Sequence, residues 1–166
     1  MPDKPPPLDL EYNTLRGEIL KRIELRQQMV SIALTVAGIF LGVGVNNGTI
    51  ALIYPPLAVF LAVSWAQNDL RAKDVATYIR ERLEPPLGLS YEHWVQDRRE
   101  ATNSKGWRLT ILAHGGIFIF TQLMALGVGL LGLLMTGVFS PLQIALLSID
   151  GLSILIVFFV LRSARR

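Results

Sequence analysis

The sequence predicts an all-α integral membrane protein: four transmembrane helices arranged as two hairpins, with a small cytoplasmic helical layer. Three observations predict it. The 166 residues are 51% hydrophobic and only 17% charged, where soluble chains carry about 25% charged residues. Gln27 to Asn68 is 42 residues without a Lys, Arg, Asp or Glu, and from Leu109 to Leu161 the only one is Asp150. All 16 basic residues lie before Gln27, between Asn68 and Arg108, or after Leu161. These features exclude an ordinary soluble domain, a disordered chain and a nucleic-acid-binding arm.

The N-terminal segment 1–28 is cytoplasmic. It opens on a polar, proline-rich stretch, Met1 to Pro7. A cleavable signal needs a basic start followed at once by an apolar run. Here the first such run begins near Met29, so the chain is expected to insert through that span and keep it. From about Leu8 to Gln28, Leu8, Tyr12, Leu15, Ile19 and Ile23 recur at spacings of three and four, which marks one face of a helix. Asp9 is the expected N-cap. Leu15, Ile19 and Ile23 are the expected cytoplasmic contact face. They pack within the subunit or also form a stalk that meets a second copy or a partner. Gly17 weakens the helix by ~1 kcal/mol relative to Ala unless a neighbouring backbone packs there.

The first hairpin is segment 29–67. One span needs about 20 residues, and the charge-free run is twice that, interrupted by Asn46-Asn47-Gly48, a turn signal. Span one is then about Met29–Val45 and span two about Thr49–Gln67. Pro55 and Pro56 are expected to kink span two and free carbonyls, with Tyr54 and Thr35 placed to satisfy them. The break is a structural kink, or else a hinge or a pore-lining break. Gly38-x-x-x-Gly42 permits close helix approach, within the subunit or between subunits.

Segment 68–108 is a cytoplasmic helical segment. Leu70, Val75, Tyr78, Ile79 and Leu83 supply an apolar stripe, and Pro85-Pro86 is expected to end that helix. A short helix, about Tyr91–Glu100, follows Ser90 as N-cap. Thr102–Gly106 is a loop. The segment carries 8 basic and 7 acidic residues, which makes a mixed solvated surface and not a polyanion site.

The second hairpin is segment 109–161, interrupted by Thr136 to Pro141. Span three is about Leu109–Met135 and span four about Leu142–Leu161. Gly129, with Ala125 and Gly132, gives span three a small-residue face for packing. The basic tail 162–166 anchors at headgroups. Neither hairpin tip contains Lys or Arg. By the positive-inside rule, both tips face outward and both termini face the cytoplasm of a cell with an inner (plasma) membrane. Trp65 and Trp107 fall at the cytoplasmic ends of spans two and three, where interfacial Trp is expected.

Asp150 demands an explanation, because an acid at mid-bilayer costs at least ~2.5–3.5 kcal/mol on insertion scales. It must face the protein interior or a wet cavity, find a partner, or be protonated. Gln122 is roughly 20 Å in from Leu109 and Asp150 roughly 17 Å in from Leu161, at 1.5 Å per residue. Thr121, Gln122, Ser148, Asp150 and Ser153 therefore define an intramembrane polar belt, with His114 nearer the cytoplasmic side. Its uses are an interhelical hydrogen bond between Asp150 and Gln122, an ion or proton path, or a contact between subunits.

No catalytic, phosphate-loop or dinucleotide motif occurs. There is no cysteine. His93, Glu92 and Asp97 do not make a metal site. No enzyme activity, cofactor or metal is expected.

The run Glu11-Tyr12-Asn13-Thr14-Leu15-Arg16-Gly17-Glu18-Ile19 through Arg82 is an amphipathic helix, a tight pair of spans and a second amphipathic helix. In that layout it resembles small bacterial membrane effectors of the SLATT type. The resemblance implies an oligomer that permeabilises the membrane when a cytoplasmic partner triggers it. The leading expectation is thus a non-enzymatic, oligomeric, channel-like protein or effector in the lipid bilayer. The alternatives are a scaffold or accessory subunit of a larger complex, and a small proton-linked transporter using Asp150.

Overall fold

A computed structural model describes residues 7–101, 105–137 and 140–163, and their side chains except those of 99, 101, 105–114 and 136. The described residues are helical, with no strand among them. The helices are α1 (Leu8–Gly44), α2 (Gly48–Ala51), α3 (Tyr54–Tyr78), a π-helical turn (Ile79–Leu83), α4 (Glu84–Leu87), α5 (Tyr91–Ala101), α6 (Lys105–Thr136) and α7 (Pro141–Ser163). Four stretches are long and apolar enough to cross a membrane: Leu8–Gly44, Gly48–Leu87, Gly115–Met135 and Pro141–Ser163.

α1 runs unbroken for 37 residues from the charged end of the molecule to its apolar end. It starts at Leu8 with Pro7 as N-cap, so Asp9 sits in the first turn instead of capping it. There its charge still complements the helix dipole. The buried residues of α1 are Val30, Ala33, Ala37 and Gly44, a narrow stripe at helical spacing. The facing stripe on α3 is Tyr54, Ala58, Ala62, Trp65, Ala66 and Asp69. Alanines dominate both stripes, and small side chains let two helices approach closely in an apolar setting.

The end of α1 departs from a simple Asn-Gly turn. Val45 and Asn46 form the turn. Asn47 then caps α2, its side-chain oxygen accepting from the Thr49 N–H at 3.2 Å. Gly48 is needed for space and not for a left-handed backbone. A Cβ there would stand 3.0 Å from the Gly129 carbonyl and 3.2 Å from Gly132 Cα on α6. Gly44 likewise faces Ala51, and Gly129 faces Leu52. Gly38 and Gly42 meet nothing within 4 Å, so the close approach uses Gly44, Gly48, Gly129 and Gly132.

The apolar stretch Gly48–Leu87 is interrupted just before Pro55 and Pro56. The chain turns at Leu52 and Ile53, and Pro55 and Pro56 lie in the first turn of α3. The first N–H groups of a helix have no internal partner, so two residues without N–H lose nothing there.

Further along, the chain keeps turning where Pro85 and Pro86 were expected to stop it. The π-turn carries the Glu84 N–H to the Ile79 carbonyl. This wider turn moves the proline rings off the carbonyls they would strike in an α-helix. Gly88, at φ 67°, then ends α4. The Leu89 N–H reaches the Glu84 carbonyl at 3.0 Å, closing a Schellman turn. The inward face of α3 and its continuation is Asp69, Ile79 and Leu83, while Leu70 and Tyr78 are exposed. α6 begins at Lys105, and Thr102–Ser104, in the expected loop, lie outside the described residues.

α7 opens on a capping box. Ser140 Oγ accepts from the Gln143 N–H, and Gln143 Oε1 accepts from the Ser140 N–H at 2.9 Å. The Gln143 amide also donates to Thr49 Oγ1 at 2.9 Å, tying α7 to α2. α7 packs mainly on α3 and α6. The larger core cluster joins all four long helices through Val30, Ala33, Ala62, Trp65, Phe118, Val157 and Leu161. Trp65 is only 2% exposed and its ring centroid lies 6.3 Å from that of Phe118. It is a core residue and not an interfacial anchor. Trp107 lies outside the described side chains.

Two glycines separate packing from propensity. Gly129→Ala places a methyl into Leu52 and is expected to cost about 1–3 kcal/mol by overpacking. Gly17 has open space around it, so Gly17→Ala is expected to stabilise by up to ~1 kcal/mol. Thermal unfolding of both variants in mild detergent checks this. Equal effects would contradict the packing described at Gly129.

Candidate functional site

Two polar constellations hold the helices together. One lies deep in the apolar part of the bundle and the other at its charged end.

The deep one is built on the first turn of α3 and the middle of α6. Thr121 Oγ1 donates back to its own helix, 2.8 Å from the Ile117 carbonyl. With that proton committed, the buried Tyr54 hydroxyl donates to Thr121 Oγ1 across 2.8 Å. It also lies 3.4 Å from the Ala33 carbonyl of α1, so one phenol touches three helices. Next to Thr121, Gln122 donates its amide to the Pro55 carbonyl at 2.9 Å. Such interhelical bonds average only ~0.6 kcal/mol in membranes. Their larger effect is to leave fewer buried groups unsatisfied.

Asp150 and Ser153 of α7 are buried with them, Asp150 completely. Neither Asp150 oxygen has a hydrogen-bond partner, and neither does Gln122 Oε1. Gln122 thus gives its amide to α3 and not to Asp150. Ser148 stands apart. It is exposed and bonds its own helix at the Ile144 carbonyl, 3.0 Å away. Thr35 is also exposed and bonds the Ser31 carbonyl. Of the expected belt, Thr121, Gln122, Asp150 and Ser153 are all buried. Ser148 is not, and the side chain of His114 lies outside the described residues.

At the charged end, Arg26 of α1 binds Asp69 of α3 at 2.5 Å, and Lys73 binds the other Asp69 oxygen at 3.0 Å. Asp69 is nearly buried, and removing one partner of a buried pair is costly. Further out, Arg16 of α1 pairs with Glu92 of α5. Its guanidinium also lies 4.8 Å from the Tyr91 ring centroid. Between these pairs lies a cleft of about 310 Å³, lined by Ile19, Ile23, Ala72, Ala76 and Val95 among others. Ile19 and Leu15 are half-buried and Ile23 is exposed.

Glu84 is the residue that the sequence reading passed over. Its carboxylate is fully buried and receives the N–H of Glu92 at 2.6 Å and that of His93 at 3.3 Å. His93 Nδ1 lies 2.8 Å from the same carboxylate. It is Glu84, therefore, that caps α5 with its side chain, while Ser90 contributes a carbonyl to the Trp94 N–H. Burial pushes the Glu84 carboxyl up. The Glu92 N–H, the His93 ring and the His93 N–H outweigh it and hold the group below its ordinary 4.5. The signal in the sequence was a short reversal, Pro85 to Ser90, which brings the end of one helix to the start of the next. The signal for the Arg26–Asp69 pair was that these two residues bound the charge-free run on either side.

No protein-family model, curated protein or solved structure matches the chain.

A carboxylate held below its ordinary pKa lends stability that is present above 4.5 and is lost as pH falls through the lower native value. Glu84→Gln is expected to cost about 1–3 kcal/mol at neutral pH by weakening the cap. It should also flatten the acid limb of the stability curve. Detergent unfolding between neutral and acid pH measures both. An acid limb as steep in Glu84→Gln as in the native chain would contradict the assignment.

Proposed function

We propose that this chain is a non-enzymatic membrane effector, oligomeric and channel-like, that responds to a cytoplasmic protein partner. It sits in the inner membrane as two helical hairpins, with both termini and segment 68–108 in the cytoplasm. The basic asymmetry supports that orientation, since neither tip carries Lys or Arg.

One observation carries the reading. α1 passes without a joint from the charged end into the apolar bundle, and its charged end is tied to α5 through Arg16 and Glu92. A partner that displaces α5 therefore acts on a rigid rod whose far end lies in the bundle. The exposed rings of Tyr91 and Trp94 on α5 offer that partner an aromatic surface, of the type enriched at interfaces. The described parts of the four helices pack on shared core clusters, so a pore would form between copies.

Ion flux into liposomes tests this, comparing the native chain with Arg16→Gln. The native protein is expected to be closed. Releasing the tie to α5 is expected to raise flux several-fold with helical content unchanged, and the mass in mild detergent should exceed one subunit. A monomer with no flux in either protein would overturn the channel reading in favour of a scaffold.

A further inference from the structure

The feature of the bundle that this function does not use is Asp150. Its carboxyl is fully buried, and both of its oxygens lack a hydrogen-bond partner. So does Gln122 Oε1, also fully buried. Two contacts set the depth of these groups. Gly115 of α6 packs against Leu161 of α7, and Gln143 of α7 bonds Thr49 of α2. Counting back from Leu161 along α7 and forward from Gly115 along α6 sets Asp150 level with Leu126, about one helical turn from Gln122. Counting on from the Gln143–Thr49 bond sets it level with Pro55 and Pro56. There the Gln122 amide is held by the Pro55 carbonyl. The two counts thus place these three partnerless acceptor oxygens within about one helical turn of each other in depth.

We infer that Asp150, with the Gln122 amide oxygen within about a helical turn of its depth, is a proton-binding site that latches α7 to the rest of the bundle. An uncharged carboxyl carries the one donor that this set of oxygens lacks. When the site empties, the Asp150 O–H bond breaks, its electron pair stays on the carboxylate and the proton leaves on a water molecule. A buried carboxylate without a partner is strongly unfavourable, so α7 must loosen to admit that water.

The elements packed on α7 supply little to compete. α3 offers Tyr54, whose hydroxyl is already engaged with Thr121 and the Ala33 carbonyl. α6 carries no acid or base from Gly115 to Met135, and the His114 side chain lies outside the described residues. This inference does not depend on the function proposed above. It concerns one site within a single chain.

The test is infrared spectroscopy of the full chain in lipid nanodiscs across a pH series. The native protein is expected to show a protonated-carboxyl band that is absent from Asp150→Asn and disappears as pH is raised. Gln122→Met, which removes the amide oxygen but keeps the carboxyl, should shift that band. Backbone hydrogen exchange in α7 should rise at least several-fold over the same pH range in the native chain, and stay flat in Asp150→Asn. Native and Asp150→Asn spectra that match at every pH would overturn the site, as would a band that persists unchanged until unfolding. Loss of the band on adding sodium at constant pH would also overturn it, because the occupant would then be a metal cation.

Discussion

The bundle depends on one constraint: a polar group sealed among apolar side chains must find its partner inside the molecule. The first turn of α3 shows the consequence. Breaking span two at Leu52 and Ile53 puts polar backbone deep in the bundle. Middle-of-helix residues of α6 are then set against it, Thr121 against Tyr54 and Gln122 against the Pro55 carbonyl. To come that near, α6 must meet α2 almost backbone to backbone. That is why Gly48, Gly129 and Gly132 stand where they do. The break, the glycines and the polar pairs are one arrangement, and none of them makes sense alone.

The charged end obeys the same rule with different groups. Asp69 is drawn inward by the course of α3 and is neutralised by Arg26 and Lys73. Glu84 is buried because the helix continues through the π-turn into Pro85 and Pro86. The reversal after Gly88 then brings the free N–H groups of α5 onto its carboxylate. The helix dipole and the capping bonds together hold that charge. The result is a layer of helices fastened by buried carboxylates to the same two rods that enter the bundle.

Helix order and the places of the turns were legible in the sequence, because charge-free runs and turn residues are one-dimensional signals. Leu8–Gly44 and Pro141–Ser163 follow directly from them. Which face of an apolar helix turns inward was not legible. A helix apolar on every side carries no periodicity to read, so Trp65 looked interfacial and Ser148 looked central. Within the chain the close contacts fall to Gly44 and Gly48, while Gly38 and Gly42 meet nothing within 4 Å. The break near Pro55 and Pro56 was legible as a proline signal, while its place, at Leu52 and Ile53 with the prolines in the first turn of α3, was not. Asp150 was legible as a site in need of an explanation, and it is buried, as are Thr121, Gln122 and Ser153. The cap made by Glu84 was not legible, since it depends on a reversal between two helices that only the fold supplies.

The central claim is that the apolar helices cross a membrane with every charged segment on one side. The chain contains no cysteine, so single cysteines read the topology without interference. The measurement is labelling of intact and permeabilised cells by a membrane-impermeant thiol reagent, with Asn47→Cys, Gly137→Cys and Asp97→Cys expressed one at a time. The account expects Asn47→Cys and Gly137→Cys to label in intact cells, and Asp97→Cys only after permeabilisation. Labelling of Asp97→Cys in intact cells, or of the two tips only after permeabilisation, would contradict it.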